Sequence, residues 1–330
     1  MTKRLDLSGN LDKLIVVIPA YQRSEKLLAR VNEISAWPRL SNLVISVDGL
    51  RNGADSAEQK RREDVILQAE YFGKSKNNVD IFVWDENRGV NFHNLRFMKR
   101  LFPQTQKMII IEDDVGVTNQ SLDFLANNCD FEGSKGAAAH VSHAHAGIDA
   151  LVARKTLFPH QWGQALASEA IEIYVSVMSG SKINRKSVST VFKKLYADSF
   201  TALQLERLIQ WWFNHFYFCI KHGNWADAVV QYSVIAAGGH YRVPAQSLVI
   251  DDSSIYDMRA LTPRVPITEK IECLNKKVEI QNGEYECFQC EIRNGHFDEA
   301  RWRNLIGATK HRRILMLGDL RKRYTANGLI

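Results

Sequence analysis

The chain has 330 residues, 45% of them hydrophobic and 24% charged, with a formal net charge of +6. That length leaves room for one or two domains, and the balance is that of an ordinary folded protein rather than a disordered, collagen-like or low-complexity one. No apolar run reaches the roughly 18–20 residues that a bilayer-crossing helix needs. The opening MTKRLDLSGNLDK has no apolar h-region, and the five cysteines, Cys129, Cys219, Cys273, Cys287 and Cys290, are an odd number. The expectation is therefore a cytoplasmic chain with free thiols.

In chain order, LIVVIPA (14–20) is a β-branched run ended by proline, and SEKLLARVNEI (24–34) has helical spacing. NLVISVDG (42–49) reads as a second strand, followed by a polar, helix-prone stretch at 55–72. VDIFVWDEN (79–87) and MIIIEDD (108–114) read as the third and fourth strands, with the amphipathic helix NFHNLRFMKRLF (91–102) between them. Continuous apolar runs alternating with helices imply a parallel sheet buried on both faces. Beyond it, GAAAHVSHA (136–144) suggests one more strand, and FPHQWGQALASEA (158–170) reads as a proline turn that becomes helical. Residues 184–222 have a helical pattern, and WADAVVQYSVIAAGG (225–239) is a helix closed by glycines. HYRVPAQSLVI (240–250) reads as extended, and KKVEIQNGEYECF (276–288) as a hairpin turning at Asn282-Gly283. The expectation is an α/β half over residues 1–150, a helical half of the same domain over 151–265, and a hairpin with a basic tail over 266–330.

Ligands of open α/β sheets bind beyond the carboxyl ends of the strands. Those ends carry Pro19-Ala20-Tyr21-Gln22-Arg23, Asp48-Gly49, Asp85-Glu86-Asn87-Arg88 and Glu112-Asp113-Asp114. Three adjacent carboxylates beside a dry strand repel one another and lose hydration, so they call for a compensating cation. Hard oxygen ligands suit magnesium or manganese, completed by phosphate oxygens. The competing reading is a solvated acidic turn leading into the helix after Thr118.

Pro-Ala-Tyr-Gln-Arg-Ser, Val-Asp-Gly, Asn-Phe-His-Asn-Leu and Ile-Glu-Asp-Asp, in this order, resemble the motifs of GT-A fold glycosyltransferases. The pattern is similar to the N-acetylglucosaminyltransferase I type and its bacterial polysaccharide relatives. This resemblance implies a Rossmann-like nucleotide-sugar-binding sheet and a UDP-sugar donor. It assigns Pro19, Ala20, Tyr21 and Arg23 to the nucleotide, Asp48 to the uracil N3–H, and His93 to the neighbourhood of the diphosphate. Arg88, at the end of the third strand, joins that donor set. Asp114 becomes the ligand of Mn2+ or Mg2+, with Glu112 and Asp113 turned towards ribose and sugar. Trp162-Gly163 resembles a loop flanking the donor sugar, where an aromatic face packs on a pyranose. Asp227, in Asn224-Trp225-Ala226-Asp227, takes the place of the base that deprotonates an acceptor hydroxyl in an inverting transfer. The spacing there is Trp-Ala-Asp rather than Trp-Asp, and a helix N-terminal acid is the competing reading. Asp251-Asp252-Ser253 stands where family members often carry a histidine.

Two features lie outside that set. Cys273, Cys287, Cys290 and His296 have a spacing that a structural zinc could use, against the plainer reading of ordinary thiols. The tail from Arg301 to Arg323 is rich in Arg and Lys, suiting peripheral contact with an anionic membrane that presents a lipid-linked glycan acceptor. Nucleic acid is not expected, because the aromatics at 211–218 fall at core-like helical spacings. A sugar nucleotidyltransferase and a non-catalytic nucleotide- or glycan-binding module are the alternative classes, the former lacking its glycine- and arginine-rich loop here.

Overall fold

The computed structural model describes residues 14–140, 149–157, 159–197 and 225–251, together with scattered positions between 202 and 216. The basic tail, the 276–288 hairpin and the Cys273, Cys287, Cys290 and His296 set lie outside the described residues.

Four parallel strands open the chain: β1 (Leu14–Ala20), β2 (Asn42–Val47), β3 (Val79–Val83) and β4 (Lys107–Ile110), joined through α1 (Ser24–Ser35), α2 (Ser56–Ser75) and α3 (Val90–Leu101). Next come β5 (Val115–Gly116), α4 (Asn119–Asn128), β6 (Ser134–His140), β7 (Ala153–Thr156) and β8 (His160–Ala167). They are followed by α5 (Ser168–Met178), α6 (Arg185–Tyr196), α7 (Trp225–Ala236), β9 (His240–Pro244) and β10 (Ile250–Asp251). One eight-stranded sheet has the order β3-β2-β1-β4-β8-β6-β9-β7, and β10 pairs with β5 in a separate ribbon.

The period-2 geometry of a strand sends successive side chains to opposite faces, and β1 and β2 are buried on both. Ile15 and Val17 of β1 enter one core, with Phe97 of α3 and Tyr174 of α5. Val16 and Ile18 enter the other, with Leu27 of α1 and Leu125 of α4. The expected α/β sheet with helices on both faces is what the chain forms. Ile209, Trp212, Phe213 and Phe216 are buried, with Trp212 and Phe216 stacked at 5.5 Å, so these aromatics are core side chains. No helix among the described residues is long and apolar enough to cross a membrane.

One local expectation needs correction. The segment 158–170 does not turn helical after its proline: residues 160–167 are β8, in the middle of the sheet between β4 and β6, and the helix starts only at Ser168. The run Gln164-Ala165-Leu166-Ala167 has helical propensity, but pairing on both sides overrides it. The four opening strands are parallel as expected, and the sheet becomes mixed beyond them, where β8 runs antiparallel to β4 and β6, and β7 antiparallel to β9. Edge strand β7, Ala153-Arg154-Lys155-Thr156, has no apolar run to announce it.

Candidate active site

The acids after β4 find their cation within the protein. The Arg23 guanidinium grips Asp113, through Nη2 to Oδ1 and Nε to Oδ2 at 3.1 Å, while Nη1 reaches Asp114 Oδ2 at 2.8 Å. The Asp113 side chain is 3% exposed and that of Asp114 10%. A forked guanidinium suits this task because it satisfies two carboxylates in one plane. Asp113 is thereby committed on both oxygens. Asp114 is not: its Oδ1 is buried without a hydrogen-bond partner. A turn bond from Val115 N–H to the Glu112 carbonyl holds the triplet, and the capping box of Thr118 and Ser121 starts α4 just beyond it.

Asp48 follows β2, its backbone N–H donating to Ala20 at the end of β1 and its Oδ1 accepting from Gly49 N–H at 2.8 Å. Burial pushes its carboxyl up to about 6, against the pull of that bond and of Arg96 and Arg62. Gly49 is required by space: a Cβ there would lie 1.9 Å from the backbone carbon of Glu86. This contact presses the loops after β2 and β3 together, with Leu50 and Glu86 bridged.

Helix α2 pins these loops, a role its polar sequence does not advertise. Glu58 accepts from Tyr21 Oη and, at 2.7 and 2.6 Å, from the Arg51 guanidinium, which lowers its carboxyl to about 2. Arg62 donates to the carbonyls of Asp48 and Trp84, both at 2.8 Å, and Arg61 to Gln22 at 3.0 Å. Arg88 pairs with Glu86 on the exposed rim of the third strand's loop.

His93 is buried beneath the end of β2. Its Nε2 lies 2.8 Å from Ser46 Oγ, which also accepts from Trp84 Nε1. Burial, with Arg96 nearby, pulls the imidazole down to about 3, so it is neutral. What it does directly is support the end of β2.

The other wall is built by a bulge in β8. Ala138 pairs with Gln164 and His140 with His160, so Gln161, Trp162 and Gly163 together face the single Ala139. Gly163 has φ +61°, the left-handed conformation that glycine tolerates at such bulges. The bulge re-aims its two side chains. Trp162 turns to the His140 ring, 4.8 Å between centroids, and Gln161 Nε2 donates to the backbone carbonyl of Asp227 at 2.7 Å. A Cβ on Gly163 would meet Val249 at 3.2 Å and Ile111 at 3.6 Å, so this corner adjoins the residue before Glu112. Asp227 is exposed in the first turn of α7. Beyond Val249, β10 pairs with β5, placing Asp251 opposite Val115, next to Asp114 in sequence. The structure thus gathers Arg23, Asp48, Asp113 and Asp114 at one sheet edge, with Trp162 and Asp227 linked through Gln161 beside it. Gln161, Glu58 and Arg62 are contributors the sequence did not reveal.

Among the described residues no three His, Cys, Asp or Glu side chains gather into a cage for a metal. A hard divalent ion nevertheless fits Asp114, whose buried Oδ1 is an unclaimed oxygen donor, provided phosphate and water oxygens complete the shell.

No family model and no curated protein matches the chain. Solved structures do. Glucosyl-3-phosphoglycerate synthase from Mycobacterium tuberculosis, in complex with Mn2+, UDP and glucosyl-3-phosphoglycerate, is 12% identical, with TM-score 0.34, covering 49% of this chain and 58% of that one. A mannosyltransferase from Pyrobaculum calidifontis, in complex with GDP-mannose and Mn2+, is 9% identical, with TM-score 0.39, covering 68% of this chain and 73% of that one. A 4-diphosphocytidyl-2C-methyl-D-erythritol synthase from Anaerococcus prevotii is 12% identical, with TM-score 0.29, covering 60% of this chain and 81% of that one. The match to the synthase thus spans a little over half of that enzyme. At such scores the functional reading rests on this chain's own geometry.

Proposed function

We propose that the chain is a metal-dependent glycosyltransferase that moves a sugar from a UDP-linked donor to a glycan or lipid-linked glycan, as in bacterial surface polysaccharide synthesis. The observation that carries this reading is the pair of acids after β4, one locked by Arg23 and the other left with an unclaimed buried oxygen, at the strand edge that also holds Asp48.

The residues divide the work. Pro19, Ala20 and Tyr21 shape the floor beneath the base, and Asp48 accepts from the uracil N3–H, a role that favours its ionised form. Glu112 lies towards ribose and sugar, with Asp113 beside it held in place by Arg23. Arg88 covers the donor from the exposed rim. Asp114 would hold Mn2+ or Mg2+, which when bound neutralises the charge growing on the diphosphate leaving group. Trp162 offers its face to the apolar side of the pyranose. Asp227, exposed and fixed through its carbonyl by Gln161, takes the proton of the attacking acceptor hydroxyl. With one base and a single displacement, the anomeric configuration inverts. The chain works in the cytoplasm, its basic tail resting on the inner membrane face.

The test is binding followed by transfer. UDP-, GDP- and CMP-sugars are screened with Mn2+ by thermal shift, and a binder is assayed for turnover with wild type and Asp227→Asn. Donor binding should survive in Asp227→Asn while turnover disappears. Substantial residual transfer, or retention at the anomeric carbon by NMR, contradicts the assignment.

A further inference from the structure

We propose that His140 is a positioning residue for the sugar half of the donor, an inference that rests on the nucleotide-sugar reading of this edge. His140 ends β6 opposite the β8 bulge, where the register shifts and the Trp162 ring is turned towards it. The two rings meet at 4.8 Å and 51°. Its Nδ1 lies 2.9 Å from Ser247 Oγ, and that hydroxyl donates to the Val249 carbonyl at 3.2 Å. A hydroxyl has one hydrogen. With it directed at Val249, the serine oxygen accepts from the Nδ1–H of His140.

This bond ties two parts of the site together. The 247–249 segment is held to β6 a second time, by Leu248 N–H on the Ala139 carbonyl at 2.9 Å, and Val249 packs where Gly163 has no side chain. Immediately afterwards β10 pairs with Val115-Gly116, the strand that follows the acids. His140 therefore sets the Trp162 ring plane relative to the segment that returns to the acid triplet. A platform so fixed acts on the sugar and leaves alone the base, which the proposed reading seats on the residues after β1 and β2.

The experiment compares affinities for UDP, UDP-glucose and UDP-N-acetylglucosamine by calorimetry with Mn2+, in wild type, His140→Ala, His140→Asn and Ser247→Ala. Losing an aromatic contact of this kind is worth about two- to tenfold in binding. His140→Ala should lower the ratio of UDP-sugar to UDP affinity by that factor and leave UDP itself unchanged. His140→Asn keeps a donor near the Nδ1 position and should recover part of the loss, and Ser247→Ala should show a smaller loss in the same direction. An unchanged ratio in His140→Ala and Ser247→Ala, or UDP affinity falling in step with UDP-sugar affinity, overturns the inference alone. If wild type binds neither UDP-sugar, the nucleotide-sugar reading itself fails and takes the inference with it.

Discussion

Removing the Arg23 guanidinium tests how the acid pair is held. Arg23→Gln leaves Asp113 and Asp114, 3% and 10% exposed, without the cation that compensates them. Breaking a buried ion pair from one side costs about 3–5 kcal/mol, because the remaining charge stays buried. The Arg23 side chain is itself 21% exposed, so solvent screening puts the expected loss at the lower end, about 3 kcal/mol. An unfolding entropy of about 2.1 cal/mol/K per residue gives roughly 0.7 kcal/mol/K for a chain of this length, hence a fall in Tm of about 4 °C. Urea unfolding and calorimetry at pH 7 measure both quantities. Asp113→Asn added to Arg23→Gln should restore a large part of the loss, since one uncompensated charge is removed. Mn2+ should stabilise Arg23→Gln more than wild type, by offering the acids another cation. Stability within about 0.5 kcal/mol of wild type, the range of ordinary surface substitutions, would refute the claim that Arg23 is the acids' counter-charge.

Asp48 makes the opposite contribution. Its carboxyl, near 3.8 in the unfolded chain and about 6 in the fold, binds more protons when folded, so its contribution to stability is greatest below pH 4 and is lost as pH rises through 6. Asp48→Asn should remove that slope and stabilise the ligand-free protein at pH 7 by up to about 3 kcal/mol, while weakening UDP binding; an unaltered pH–stability curve would contradict this. Gly49→Ala should destabilise by about 3 kcal/mol or prevent folding, since the obstacle at 1.9 Å is backbone and cannot rotate away; a well-folded variant with unchanged Tm would count against the observed loop contact. Asp114→Asn should abolish Mn2+-dependent stabilisation by UDP, which for wild type at 100 times the dissociation constant is about 2.7 kcal/mol; equal stabilisation of both proteins would move the metal elsewhere.

The four opening strands were legible because runs such as Leu14–Ala20 and Asn42–Val47 are largely apolar and buried on both faces, a pattern a covered sheet uses. The acids, Arg23 and Asp48 were legible because each stands directly after such a run. That Arg23 would meet the acids was not, since the contact spans 90 residues of sequence and depends on β1 lying beside β4. Strand β8 escaped notice because Gly163 and the bulge break its alternation where Trp162 must be turned. Glu58 and Arg62 sit on a helix whose polar face looks like ordinary solvent exposure until α2 is packed beside the loops after β1 and β2. The contact of His93 Nε2 with Ser46 was hidden for the same reason as that of Arg23, since it joins α3 to β2 across 47 residues of sequence.

UDP release from a panel of UDP-sugars with Mn2+, in wild type, Asp114→Asn and Asp227→Asn, tests the glycosyltransferase reading most directly. The expected result is turnover of at least one UDP-sugar by wild type, none by either variant, and retained nucleotide binding in Asp227→Asn. Pyrophosphate release from a nucleoside triphosphate and a sugar phosphate, with no UDP released from any sugar donor, would contradict it and make the same edge a nucleotidyltransferase site.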